Sequence, residues 1–360
     1  MSTHPADGQV LPTVDVHAHI LLPALQQLVA EADPEGFRAQ QALEVRRNGP
    51  ESMAASGKMI KERWPQLTDL GRRLADMDAQ GMDVQLVSPS PSHFYYFAAG
   101  ELSLQLAKAA NQAVRDFVDR APERLTGLGL VPLQHPALMV EALEHAALEC
   151  GLLGVEIGSF AATPGDPERS TVELSDPRLE PFWSRAEELG ALVFLHPFGC
   201  SLDERLDRFY LANTVSQPAE NAVALSHLIF SGVLDRHPGL KVLAAHGGGY
   251  LPTSLGRSDH AWKVRPEART CAEPPSSYLK RLYFDSLVHS AAELRVLIAA
   301  AGAGQVLLGS DYPFDMGSDL PVDEVLAAGL PVDDEARVLA GNAAALGITA
   351  AAALTARPTA

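Results

Sequence analysis

Eight short apolar runs, each about strand length and each ending in a polar or small residue, constrain this chain more than any other feature. They are VDVHAHI (14–20), VQLVSPS (84–90), LTGLGLVPL (125–133), GVEIGS (154–159), ALVFLHP (191–197), KVLAAHG (241–247), LYFDS (282–286) and VLLGSDYP (306–313). Their apolarity is continuous rather than alternating, as in strands of a buried parallel sheet. Between them lie helical patterns at 70–80, 101–119, 136–149, 178–188, 220–234 and 291–301. Pro136 and Pro218 stand where helices begin, and Gly81, Gly151, Gly190 and Gly302 where they stop. Eight strands alternating with helices is the count for a closed (β/α)8 TIM barrel. An open doubly wound sheet is the alternative, but neither a GxGxxG nor a Walker pattern follows the first strand.

The stretch from 21 to 68 breaks this rhythm. It is polar, carries Lys58, Lys61 and Arg63, and follows the first strand. On a barrel it is an insertion over the catalytic mouth, either a lid or a surface loop with a short helix. The expected organisation is one domain over 1–348, with a frayed tail at 349–360.

Composition narrows the partners. The 360 residues carry a formal charge of −17 and are 47% hydrophobic, so nucleic acid and anionic membranes are poor partners and a full core is affordable. A small anionic substrate is still accommodated if metal and arginines make the pocket locally positive. Three scattered cysteines, Cys150, Cys200 and Cys271, suggest neither disulfides nor a thiolate zinc site. With no leader pattern near the N-terminus and no bilayer-length apolar run, the expected location is the cytoplasm.

The chemistry sits at the strand ends. His17 and His19 are two apart on a strand and so share a face, near the end where barrel active sites lie. His196 ends the fifth run, His246 the sixth and Asp311 the eighth. Converging there, imidazoles and one carboxylate make a site suited first to Zn²⁺, with Mn²⁺ or Fe²⁺ as alternatives. Aromatics follow the strands too. Phe94, Tyr95 and Tyr96 come after the second, Phe198 after the fifth and Phe314 after the eighth, placed to sandwich a planar substrate or simply to pack.

The words MDAQGMDVQ (77–85), VPLQ (131–134), HPF (196–198), AHGGGYLPTSLGR (245–257), HAW (260–262) and LLGSDYPFDMG (307–317) carry a resemblance. Over about 13–347 the chain resembles the amidohydrolase superfamily, in the branch headed by α-amino-β-carboxymuconate-ε-semialdehyde decarboxylase that also includes salicylate-type and resorcylate decarboxylases. The resemblance implies one divalent metal held by His17, His19, His196 and Asp311, with His246 as acid/base on water at the metal. It implies non-hydrolytic release of CO₂ from an aromatic or unsaturated carboxylic acid, with Asp311 as proton donor to carbon in a salicylate-like variant. Hydrolysis or hydration of a lactone, amide or unsaturated acid on the same barrel is the alternative. Binuclear members bridge two metals through a fourth-strand lysine. Here that strand carries Glu156, where relatives of this branch are often neutral, so one metal is implied and Glu156 reads as an inner hydrogen-bond partner or a peripheral influence on the metal. Arg257 matches an arginine that reaches into the neighbouring subunit's site, implying a homodimer. The branch's other substrate arginine belongs to the insertion, where Lys61 and Arg63 bracket the expected place and the surrounding words do not match.

Overall fold

The structure, a computed structural model, describes residues 11–162, 171–199 and 202–351. Each apolar run yields a strand. In chain order these are β1 (Val14–Ile20), β2 (Val84–Pro89), β3 (Leu125–Gly127), β4 (Gly129–Leu130) and β5 (Gly154–Ile157), the third run supplying both β3 and β4. An antiparallel pair, β6 (Phe160–Ala162) and β7 (Thr171–Glu173), was not signalled by the sequence. Then come β8 (Leu192–Leu195), β9 (Lys241–Ala244), β10 (Tyr283–Asp285) and β11 (Val306–Leu307).

The fold is mixed α/β with parallel sheets. One has the order β1-β2-β3 and the other β11-β10-β9-β8-β5-β4. Contacts join them on both sides. Leu128, between β3 and β4, donates its N–H to Val87 O of β2 at 2.9 Å. On the far side, Val16 N–H donates to Leu308 O (2.9 Å) and His19 N–H to Tyr312 O (2.7 Å), while Asp311 N–H donates to His17 O (2.8 Å).

Two apolar clusters follow. Val14, Val16, Val84, Leu86, Leu128, Leu192, Phe194, Leu243 and Leu307 pack together, drawn from strands of both sheets. A larger cluster, including Val87, Val155, Ile157, Val193 and Val242 from the opposite strand faces, packs against the helices. The register of β1 against β2 shifts between Asp15 and Ala18. Such a bulge changes which residues share a face. Val14 and Val16 therefore join the strand-enclosed cluster, and His17 and His19, displaced by one, also present their rings on the inner side.

The helices over Leu70–Gln80 and Ala291–Ala301 match their sequence patterns end to end, and the others fall within a few residues. The stretch after β1 differs from a loop with a short helix. It forms four helices, Pro23–Ala32, Pro34–Asn48, Pro50–Glu62 and Trp64–Thr68. Their start signals were present, since each has proline in its first turn. What was lacking is an apolar stripe. Pro34–Asn48 and Pro50–Glu62 bury no residue, so their sequences have no core-facing period to read. Of the tail, Ala351 is buried and belongs to the core, and 352–360 lie outside the described residues, as does Cys200. Cys150 and Cys271 are free and buried, and among the described residues no helix is long and apolar enough to cross a membrane.

Candidate metal centre and active site

His17, His19, His196 and Asp311 converge as expected, with one ligand atom from each lying within 4.8 Å of the others. His17 Nε2 and His19 Nε2 are 3.0 Å apart, and Asp311 Oδ1 is 3.4 Å and 3.2 Å from them respectively. His196 Nε2 and Asp311 Oδ1 are buried and find no hydrogen-bond partner in the protein. Imidazole nitrogens that face one another through their lone pairs repel unless a cation or proton stands between them. Unsatisfied buried polar atoms carry a similar penalty. Three nitrogens and one carboxylate oxygen fit a divalent ion with intermediate ligand preference.

The ring nitrogens turned away from the cluster are each held. His17 Nδ1 is 2.7 Å from Asp285 Oδ2, His19 Nδ1 is 3.2 Å from Ser88 Oγ, and His196 Nδ1 is 3.0 Å from Pro197 O. Such partners fix the tautomer that leaves Nε2 available to a metal.

Asp285 was not singled out from the sequence, although it ends the seventh apolar run as His246 and Asp311 end theirs. Its carboxylate also accepts the backbone N–H groups of His246 (2.9 Å) and Gly247 (2.8 Å). One buried group thereby orients a metal ligand and the turn that carries His246. Space for it depends on Gly309, where a Cβ would come within 2.7 Å of Asp285 Cβ and 3.1 Å of His17 Cβ.

His246 and Asp311 adopt left-handed backbone conformations, φ 55° and 56°. Non-glycine residues carry that strain mainly where function requires a particular side-chain direction. His246 Nε2 lies 3.8 Å from Asp311 Oδ2, and its Nδ1 is buried without a protein partner. Its side chain is 20% exposed, against 9% for Asp311 and none for His17 and His19. His246 is thus beside the cluster yet more open to the mouth.

Behind the site a charged network supports β1. The guanidinium of Arg73 is wholly buried, donates to Gln85 Oε1 and His19 O, and lies 4.8 Å over the Tyr312 ring. Gln85 in turn donates to Asp15 (2.8 Å), which also accepts the Ser310 hydroxyl (2.6 Å). These contacts tie down the residues next to His17, His19 and Asp311.

Burial alone would push the His17 imidazole down, but the charges of Asp311 and Asp285 outweigh it and raise its pKa to about 10. Burial lowers His19 to about 4 and holds His196 well below its usual value. Burial opposes ionisation of Asp311, yet His17 and its neighbours bring it well below the usual carboxylate range. Of the four metal-site residues, His17 is therefore the one that holds a proton in the metal-free protein. That proton stabilises the metal-free fold fully below the ordinary histidine value of 6.5, and the contribution is lost as pH rises through about 10. A metal taking His17 Nε2 displaces it. Calorimetry at about pH 8 in buffers of different ionisation enthalpy should show about one proton released per metal bound, with affinity rising towards pH 10. Binding without proton release would contradict this assignment.

Next to the cluster lies a cavity of about 410 Å³. Its lining omits the four ligands but reaches them through Phe198 and Gly199, just after His196, and through Pro91–Phe97 after β2. Phe94 and Tyr96 stack at 5.1 Å, and Phe94 meets Phe198 edge-on at 6.4 Å. Phe314 is outside this wall and packs on the His19 ring at 5.5 Å. The opposite wall comes from the helix Pro34–Asn48, with Gln40, Glu44, Arg47 and Asn48.

The expected basic residues fall elsewhere. Lys61 is exposed and Arg63 is bound to Asp319 at 3.2 Å, so neither lines the cavity. Arg47, from the same excursion, does. Only its place on a helix whose register the sequence hides could have distinguished it. Arg257 is exposed on the helix Leu251–Val264 and is not part of the cavity. His93 is no ligand: its Nε2 accepts the Leu22 N–H and its Nδ1 meets Tyr95 OH, both at 2.9 Å. His237 is buried between Glu180 and Glu187, and His227 bonds Ser175.

A sequence model of the family described as amidohydrolase matches residues 14–346. The chain belongs to the amidohydrolase family. Within it, the chain falls in the branch of the aminocarboxymuconate-semialdehyde decarboxylases. This family member is 33% identical over 310 residues to the 2-amino-3-carboxymuconate-6-semialdehyde decarboxylase of Dictyostelium discoideum, covering 86% of this chain and 83% of that one. Among solved structures it resembles the 5-carboxyvanillate decarboxylase of Sphingomonas paucimobilis, with TM-score 0.76, 25% identity and coverage of 93% and 98%. It also shares its fold with a dihydroxybenzoic acid decarboxylase from Polaromonas holding manganese and 2-nitroresorcinol, with TM-score 0.75, 22% identity and coverage of 94% and 97%.

Proposed function

We propose that this amidohydrolase-family protein is a metal-dependent, non-hydrolytic decarboxylase acting on an aromatic or unsaturated carboxylic acid. The observation that carries this is the convergence of three histidines and Asp311, two of whose buried ligand atoms are unsatisfied, beside an aromatic-walled cavity with an arginine. Its relatives include decarboxylases of a muconate semialdehyde and of aromatic acids. In this reading the parallel strands close into a (β/α)8 barrel, supported by the hydrogen bonds across the β1 seam. Residues 1–348 make one domain, with 21–68 inserted over the mouth. The ligands suit Zn²⁺ best, although the Polaromonas relative holds manganese. The unbridged Cys150 and Cys271 suit a reducing cytoplasm.

A divalent ion held by His17, His19, His196 and Asp311 supplies Lewis acidity. The chain does the rest. Arg47 holds a substrate carboxylate, and Phe94, Tyr96 and Phe198 bracket the planar skeleton and exclude water. The bond to the leaving carboxylate breaks, CO₂ departs, and its electron pair stays on the ring or diene carbon. That carbon takes a proton managed by His246, with Asp311 3.8 Å away as its partner. Arg47→Ala should lower kcat/KM about 10- to 100-fold, mostly through KM, because it removes a charge-assisted contact made in the ground state. Steady-state kinetics check this, and an unchanged KM would remove Arg47 from the substrate site.

We assign Arg257 to the neighbouring active site of a homodimer, consistent with its exposure and its absence from its own cavity wall. Inactive His246→Ala and Arg257→Ala subunits, denatured and refolded together, should regain about a quarter of parental activity. Half of the dimers formed are then mixed and each carries one intact site. No recovery would place Arg257 in its own subunit's site or outside catalysis.

The reaction is tested with a panel of aromatic and dienoic acids beside lactones and amides, following CO₂ against ring opening or hydration. Release of CO₂ supports the proposal. Hydrolysis or hydration without CO₂ assigns the same site to the other chemistry of the fold.

A further inference from the structure

Glu156 is a buried ionisable group that this mechanism leaves unused. It is wholly inaccessible, and neither carboxyl oxygen has a hydrogen-bond partner in the protein. Burial pushes its pKa up to about 8; the Ser88 hydroxyl and the charge of His17 oppose this rise, and the charge of Asp311 adds to it. A buried acid left so exposed to penalty is costly unless it serves the site around it.

Its place is close to the metal ligands. Val155 and Ile157 face the helices, so Glu156 faces the other way, into the strand-enclosed layer. In register it pairs with Phe194, whose ring meets those of His17 (5.0 Å) and His196 (5.9 Å). Ser88 lies in the same layer, paired in register with His19, and its Oγ is 3.2 Å from His19 Nδ1.

We infer that Glu156 is a positioning residue for the metal centre, completing a relay from its carboxyl through Ser88 to His19. With Nε2 given to a metal, His19 carries its proton on Nδ1 and donates it to Ser88 Oγ. The Ser88 hydroxyl proton then needs an acceptor, and Glu156 supplies one. The relay holds the serine rotor and the imidazole in the metal-binding tautomer. This inference rests on the four-ligand metal reading above.

The test compares Ser88→Ala, Glu156→Leu, Glu156→Gln and the double variant Ser88→Ala/Glu156→Leu. Zinc affinity is measured against a chromophoric chelator, and the Tm of each metal-free protein is recorded. Ser88→Ala and Glu156→Leu should each weaken zinc about 10-fold. The double variant should bind no more weakly than Ser88→Ala, because both changes break one relay. Glu156→Gln, whose amide oxygen also accepts, should bind close to the parent. Metal-free Glu156→Leu should melt no lower than the parent, since an unsatisfied buried acid has gone. A merely structural role moves affinity and Tm together.

Parental zinc affinity in Glu156→Leu, multiplied losses in the double variant, or no rescue by glutamine would each overturn the relay. If leucine prevents folding, methionine replaces it under the same criteria. Failure of the parent itself to bind zinc, manganese or iron would instead overturn the metal reading.

Discussion

His246→Ala should retain one metal per chain and lose about 10²- to 10⁴-fold in kcat, the range for removing a positioned acid/base. Several features separate this residue from the ligands. Its backbone φ of 55° turns it at the end of β9, and two amides of that turn are fixed by Asp285 rather than by a metal. Its Nε2 is 3.8 Å from Asp311 Oδ2, and it lies outside the set of atoms within 4.8 Å of one another. Metal content by mass spectrometry and turnover on the best substrate of the panel check the expectation together. Loss of metal in proportion to loss of activity would make His246 a ligand and leave the proton without a manager.

His196→Ala gives the opposite pattern. Its Nε2 is a buried nitrogen without a protein partner, and its Nδ1 is already committed to Pro197 O. Removing the ring removes a ligand while leaving His17, His19 and Asp311 crowded together beside Asp285. Metal should be lost under ordinary dialysis, and turnover should fall to background with it. The metal-free fold should survive, because protonated His17 stays paired with both Asp311 and Asp285. Circular dichroism and metal analysis of the dialysed variant test this. Stoichiometric metal in His196→Ala would remove it from the ligand set.

Much of this site is legible in the sequence, for physical reasons that differ residue by residue. A strand end is marked by the change from an apolar run to a polar residue, so His17, His19, His196, His246 and Asp311 announced themselves. The cost of burying unsatisfied imidazoles made chance a poor explanation for them. Asp285 carried the same mark but was missed because a single carboxylate before a turn is commonplace. Arg73 and Gln85 could not be read at all. Each is one polar residue in an amphipathic or apolar element, and only packing shows that they meet behind β1. The excursion was hardest. Its helices bury little, so nothing in their sequences reported that Arg47 lines the cavity and that Lys61 and Arg63 do not. The β1 bulge likewise has no mark in the sequence. Plain two-residue alternation put His17 and His19 on one face correctly, yet it left unexplained how Val14 and Val16 also reach the strand-enclosed cluster.

One metal per chain driving loss of CO₂ is tested in both its halves by a single titration. Chelator-stripped protein is reconstituted with increasing zinc, manganese or iron while CO₂ release from the best panel substrate is followed. The stripped protein should release none, and release should rise linearly and break at about one equivalent per chain. Release of CO₂ without metal, or a break at two equivalents, would contradict it.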